Sequence, residues 1–159
     1  FNLLDSHDTE RIMTTAKGDL QSVKSALAFL YLQRGTPCIY YGTELALIGG
    51  PDPDCRRVMP WERVSEDNDM LNFMKDLIQL RKEVAGMIQY GKVSLEEVEL
   101  DVVAVEWQHE GHLLKAYFNH SKTDFVLERG QADLISLGSI SDDRLIIQPN
   151  GFVIYREDK

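Results

Sequence analysis

Ser6-His7-Asp8-Thr9 follows directly on the short apolar run Phe1 to Leu4. A carboxylate beside an imidazole binds hydroxyls, stabilises a cation or moves a proton. In parallel α/β sheets the carboxyl ends of strands are where ligands bind. On residue types alone, an Asp or Ser after a strand is more often a turn or cap former. Asp52 and Arg56 stand four apart in a loop bracketed by Gly and Pro. One accepts and the other donates hydrogen bonds, which suits a polyhydroxylated ligand, and equally suits a plain loop ion pair. Tyr40 and Tyr41 end a second apolar run. Either ring can stack on a sugar or fill the core. Trp61 and Met59 read as loop anchors. Glu44 reads as a site acid or as a brace for backbone amides.

Other chemistries find less support. His109, His112 and His120 lie near turn signals and read as solvated. Cys55, between Asp54 and Arg56, has no second soft ligand nearby, so Cys38 and Cys55 form neither a disulfide framework nor a four-cysteine metal site. No Gly-rich phosphate loop and no lipase-type nucleophile elbow occurs.

The elements that must position these residues are legible in the spacing. Asp19 is an N-cap candidate. After it Val23, Ala26, Leu27, Leu30 and Tyr31 recur on one helix face. Gly35 and Pro37 stop the helix, and Cys38-Ile39-Tyr40-Tyr41 reads as a strand. The order strand–helix–strand suits a parallel sheet covered by helices. Residues 42–68 form a long loop, a length usually tied to function. Asn68 or Asp69 opens a second helix, with Leu71, Met74 and Ile78 expected inside and Phe73, Leu77 and Leu80 widening the stripe. Arg81 and Lys82 fall in its last turn, the favourable end for cations.

From about Met87 the period changes to two. Val93, Leu95, Val98, Val103, Val105 and Trp107 open this region. Short strands follow at Leu113–Phe118, Phe125–Leu127, Leu134–Leu137, Leu145–Ile147 and Phe152–Tyr155. Turn signals separate them at Glu110-Gly111, Asn119-His120-Ser121, Arg129-Gly130 and Asn150-Gly151. That spacing predicts an antiparallel sandwich or barrel. Glu96, Glu97, Glu99 and Asp101 read as a solvated strand and turn.

The 159 residues are 43% hydrophobic and 27% charged, enough for one or two folded domains. A formal net charge of −9 disfavours nucleic acid and anionic membrane surfaces as partners. No apolar run approaches the ~18–20 residues of a membrane span. The cytoplasm is the expected compartment. The chain starts at Phe1 in mid-motif, so an export signal is not readable from it.

Taken together, these segments resemble the α-amylase family of glycoside hydrolases, family 13. Residues 1–9 resemble that family's conserved region at the end of the seventh barrel strand. Gly35 to Glu44 resembles the eighth strand and its loop. Gly49 to Arg57 with Met59-Pro60-Trp61 is most similar to the neopullulanase, cyclomaltodextrinase and maltogenic amylase branch. The resemblance implies an α/β plus all-β fold: residues 1–85 as the last two βα units of a (β/α)8 TIM barrel, and 86–159 as a small antiparallel β-sandwich.

The resemblance also implies roles. Asp8 is the third catalytic carboxylate, stabilising the transition state, and His7 binds hydroxyls of the sugar at the cleavage subsite. Asp52, Arg56 and Tyr41 bind substrate. Thr43 stands where the family usually has Asp, and Glu10 where many members have Pro. The family's nucleophile Asp and general-acid Glu have no counterpart in these residues, so the resemblance implies a carboxyl-terminal fragment that hydrolyses nothing alone. It implies no cofactor in these residues, with calcium sites upstream where family members have them. The implied partners are α-glucan oligosaccharides or cyclodextrins. Open barrel edges predict self-association or packing against the β region. Rival readings are a non-catalytic ectodomain like that of amino-acid transporter heavy chains and a sugar-binding β module.

Overall fold

A capping carboxylate sets the first long helix. After one turn at Ile12–Thr15 (α1), Asp19 accepts from the amides of Gln21 and Ser22 at 3.0 and 3.2 Å, and Leu20–Tyr31 (α2) follows. The side chain satisfies amides that a helix start leaves unpaired. Val23, Leu27, Leu30 and Tyr31 are buried, while Ala26 is half-buried and Ala28 is fully enclosed. Lys24 is buried on the same helix. Its ammonium lies 2.6 Å from Asp69 and 5.1 Å from the Phe73 ring centre. Both partners belong to Asp69–Glu83 (α3), which thereby neutralises a charge on the inner face of α2.

The stripe of α3 is rotated from the expected one. Met70, Phe73, Met74, Leu77 and Leu80 are buried, whereas Leu71 is half-buried and Ile78 is 42% exposed. A set starting at Leu71 would carry Lys75 into the core at i+4. The set starting at Met70 carries only apolar side chains. Arg81 donates from Nη1 to the carbonyls of Tyr31 and Gln33 and from Nη2 to that of Gly35, each at 2.7 Å. It thus serves carbonyls that the end of α2 leaves without amide partners. Gly35 sits there at φ +97°, the left-handed conformation that favours glycine.

The two expected strands are shorter than their apolar runs suggest. They meet in one parallel bridge, Asn2 to Pro37, closed by Asn2 N–H to Thr36 O at 2.9 Å and Cys38 N–H to Asn2 O at 2.8 Å. Phe1 is 93% exposed and Leu3 47%. A buried parallel strand draws on a neighbour at each side. Among the described residues each of these segments has one. The loop over 42–68 contains three single 3-10 turns, Thr43–Leu45, Asp54–Arg56 and Trp61–Arg63.

The alternating pattern begins later than expected. Val84, Met87 and Ile88 are buried at helical spacing, and Ala85–Tyr90 is a short helix (α4). Strands follow at Lys92–Glu99 (β1), Val102–His109 (β2), His112–Asn119 (β3), Phe125–Glu128 (β4), Asp133–Leu137 (β5), Ser139–Ser141 (β6), Arg144–Ile147 (β7) and Phe152–Asp158 (β8). They form one sheet in the order β1-β2-β3-β8-β5 and another in the order β4-β7-β6, with antiparallel pairing throughout. Glu110 and Gly111 both have positive φ, the backbone that a two-residue hairpin between β2 and β3 requires. Val102, Phe125, Leu145, Ile147 and Val153 form one buried cluster drawn from both sheets. β1 is exposed along its whole length, including its acidic residues.

The computed structural model describes residues 1–128, 133–137, 139–141 and 144–158. The turn expected at Arg129-Gly130 lies outside them. The chain divides into two units, Phe1–Arg81 and Lys82–Lys159, with the division falling within α3.

Candidate functional site

The backbone of the Ser6–Thr9 loop is held by its own side chains. Ser6 N–H donates to Thr9 Oγ1 at 2.9 Å, and Asp8 N–H to Ser6 Oγ at 3.2 Å. Beneath it, Asp5 is 3% exposed and accepts from the Thr43 hydroxyl at 2.9 Å and from Ile12 N–H, at the start of α1, at 3.0 Å. Thr43 therefore does useful chemistry where the family usually has Asp. A second carboxylate would face Asp5 in a buried place, whereas a hydroxyl donates to it.

The loop residues expected to bind ligand converge on this turn. His7 Nε2 lies 3.1 Å from Asp8 Oδ2, and Arg56 Nη2 lies 3.6 Å from Asp8 Oδ1. Arg56 Nε lies 2.7 Å from Asp52 Oδ1 and also donates to the His7 carbonyl at 3.2 Å. The Cys55 thiol donates to the same carbonyl at 3.1 Å. Donors and acceptors thus alternate along Asp52, Arg56, Asp8 and His7. All four are about half exposed or more, and ion pairs at such exposure add little to stability. The charge of Asp52 keeps the Arg56 guanidinium protonated above its ordinary range. Such a chain can grip hydroxyls, and it presents the Asp8 carboxylate to any positive charge that develops beside it.

Tyr41 is placed at the edge of this cluster. Its hydroxyl donates to the Arg57 carbonyl at 2.7 Å, its ring packs edge-on against Tyr40 at 4.6 Å, and it is 37% exposed. Tyr40 in turn lies 6.5 Å from the His7 ring. Glu44 is half-buried, and its Oε2 is enclosed without a hydrogen-bond partner among the described residues. Among those residues no group of three or more His, Cys, Asp or Glu is placed to hold a metal ion.

Sequence reasoning missed Arg11. It is fully buried, donating from Nε to the Cys55 carbonyl and from Nη1 to the Tyr41 carbonyl, each at 2.6 Å. Its guanidinium carbon stands 4.0 Å from the Tyr40 ring centre and 4.7 Å from that of Tyr41. One side chain therefore ties together the three segments that carry His7 and Asp8, Tyr41, and Asp52 and Arg56. Its position directly before the apolar pair Ile12-Met13 is the one sequence hint that it points inward.

Gly49 marks the closest approach. Its N–H donates to Thr14 Oγ1 at 2.8 Å and its carbonyl accepts from Arg11 N–H at 2.9 Å. A Cβ there would stand 2.6 Å from Asp54 O and 3.0 Å from Cys55 Cα. Backbone cannot yield as a flexible side chain does. Gly49→Ala should therefore destabilise the Phe1–Arg81 unit by about 2 kcal/mol, measured by urea unfolding.

Asp54 braces the same loop. Arg57 donates to its two oxygens at 2.7 and 2.8 Å, and Gly50 N–H adds a third bond at 2.7 Å. The Arg57 fork first, and the Gly50 amide second, hold the Asp54 carboxyl below its ordinary range. The folded value is the lower one, so the bracing is complete above the unfolded value of about 3.9. It is lost as pH falls through the folded value. Carbon-detected NMR should place the Asp54 midpoint below 3.9, and Arg57→Gln should move it upward.

Comparison with known proteins fits this geometry. The alpha-amylase family profile for the catalytic domain matches residues 1–83. An intracellular maltogenic amylase of Bacillus subtilis is 35% identical over 166 residues, covering 97% of this chain and 28% of that protein. A cyclomaltodextrinase of Thermoanaerobacter pseudethanolicus is 35% identical over 162 residues, covering 98% of this chain and again 28% of that protein. A solved cyclomaltodextrinase structure superposes with a TM-score of 0.76 at 29% identity, covering 97% of this chain and 29% of the other. The chain thus spans under a third of the length of each of these three relatives.

Proposed function

The chain belongs to the alpha-amylase family, and from that premise we propose that it is the carboxyl-terminal part of a retaining α-glucan hydrolase. The branch is that of maltogenic amylases, cyclomaltodextrinases and neopullulanases, and the bonds cut are α-1,4 or α-1,6 glucosidic. On this reading Phe1–Arg81 supplies the last two βα units of a (β/α)8 barrel, with the Asn2–Pro37 bridge as their parallel pairing. The antiparallel sheets form the β-sandwich that follows it in the chain. An intracellular location goes with this reading, after the name of the Bacillus subtilis relative.

The observation that carries it is the joint placement of Asp8, His7, Arg56 and Asp52 on exposed loops. Cleavage of a glycosidic bond passes through an oxocarbenium-like transition state. Asp8 stabilises that charge and accepts from ring hydroxyls. His7 donates to hydroxyls at the same sugar. Arg56, pinned between two carboxylates, orients Asp8 and with Asp52 holds a neighbouring glucose. Tyr41 offers the half-exposed edge of its ring.

Retention needs a nucleophile and a general acid about 5–5.5 Å apart. Asp8 and Asp52 both pair with Arg56, which engages each of them as an acceptor. Asp54 is held ionised by Arg57. The nucleophile and acid are therefore assigned to residues outside this chain. The purified chain should release no reducing sugar from cyclodextrin, pullulan or starch, while the intact enzyme should. Release by the chain alone would overturn the assignment.

A further inference from the structure

Three neighbouring strands of the larger sheet change character at one level. Val103, Val105 and Trp107 share a face of β2, and the next residue on that face is His109. On β3 the run Phe118, Ala116 and Leu114 leads to His112. On β8 Phe152 and Ile154 lead to Arg156. The register sets them side by side: His109 pairs with His112, and Leu114 with both Trp107 and Arg156. Alternation along each strand puts all of these on one face. An apolar face thus ends in two imidazoles and a guanidinium.

These three residues line a cavity of about 330 Å³ with Glu83, Val84 and Met87. Arg156 Nη2 stands 3.6 Å from Glu83 Oε2, close enough to share a ligand and too far for a direct hydrogen bond. Val84 and Met87 are 2% and 9% exposed and give the cavity apolar lining. The Tyr90 ring, 69% exposed, lies 6.3 Å from the His109 ring.

We propose that this cavity is a second carbohydrate site, carried wholly by Lys82–Lys159, that takes one end of a neutral α-glucan chain. A sugar ring has a C–H face and a hydroxyl edge. The cavity supplies apolar lining for the first and a carboxylate, imidazoles and a guanidinium for the second. The exposed Tyr90 ring, beside His109, offers an aromatic face to the same ligand. The volume falls at the small end of the usual ligand range of about 300–1,000 Å³, which suits one or two rings. A small inorganic anion would make no use of the apolar lining and would meet Glu83, on a chain of formal charge −9. The choice of glucan rests on the function proposed above. A site of this kind would tether substrate to the same chain as the cleft and so raise its effective concentration.

The test is an NMR titration of the 159-residue chain with maltotriose into the millimolar range, following the imidazole Hε1 signals. His109 and His112 should shift along a saturating curve. Arg156→Gln should weaken that response about tenfold. His112→Gln, an exposed position, should weaken the His109 response similarly should Arg156→Gln disturb folding. The His7 signal reports separately on the proposed cleft and should respond equally in both variants. Silence of His109 and His112 while His7 responds overturns the second site and leaves the cleft standing. Silence of all three counts against both. A response to inorganic phosphate with none to maltotriose makes the cavity an anion site and also overturns the proposal.

Discussion

Arg11→Met should destabilise the Phe1–Arg81 unit by about 3 kcal/mol in urea unfolding followed by near-ultraviolet circular dichroism. The Met side chain approximates the volume and loses every donor. The carbonyls of Cys55 and Tyr41 would then be left without the 2.6 Å bonds they now accept. Each buried carbonyl so stranded costs roughly 1–3 kcal/mol, and the stacking on two tyrosines is lost as well. Arg11→Lys should cost less, because it keeps the charge over the rings and one donor, but it has no planar fork to serve both carbonyls. A loss under about 1 kcal/mol for Arg11→Met would show that the three loops hold together without the guanidinium.

That a single unremarked arginine organises the site bears on what a sequence makes legible. Asp19 and the apolar spacing of α2 are local signals, and each set its element as read, whereas the helix ends at Tyr31 with Leu32 as its cap, ahead of Gly35. A cap acts within three residues, and a helical stripe within a few turns. The convergence of His7 and Asp8 with Asp52 and Arg56 spans more than forty positions. Residue types made each pair a candidate, and the likeness of three ordered segments to one family joined them. Arg11 gives no such signal, because its partners are backbone carbonyls, which leave no mark on residue types. The phase of α3 was misread for a related reason. Leu71 and Ile78 are apolar at helical spacing, and only Lys75 between them says that this side faces water. The strands at Phe1–Leu4 and Cys38–Tyr41 were read from apolarity, whereas pairing depends on neighbours that lie far away in the chain.

Asp8→Asn in the intact enzyme should lower kcat/KM on cyclodextrin about a thousandfold or more, equivalent to roughly 4 kcal/mol of transition-state stabilisation. The amide keeps the shape and one acceptor oxygen, so ground-state contacts with hydroxyls largely survive. What disappears is the negative charge facing the positive character of the transition state. The loss should therefore appear in kcat. Asp8 is 69% exposed, and a neutral isostere there should leave folding within about 0.5 kcal/mol. Asp52→Asn makes the contrast. Asp52 reaches Asp8 only through Arg56 and is assigned to a neighbouring glucose, so its loss should raise KM with a smaller change in kcat. If Asp8→Asn retained activity within about threefold of the parent, under 1 kcal/mol, the carboxylate would be a turn former and the cleft reading would fall with it. The same split of kcat and KM between the two carboxylates cannot arise if Asp8 and Asp52 only brace Arg56, because a shared structural role would move both variants alike.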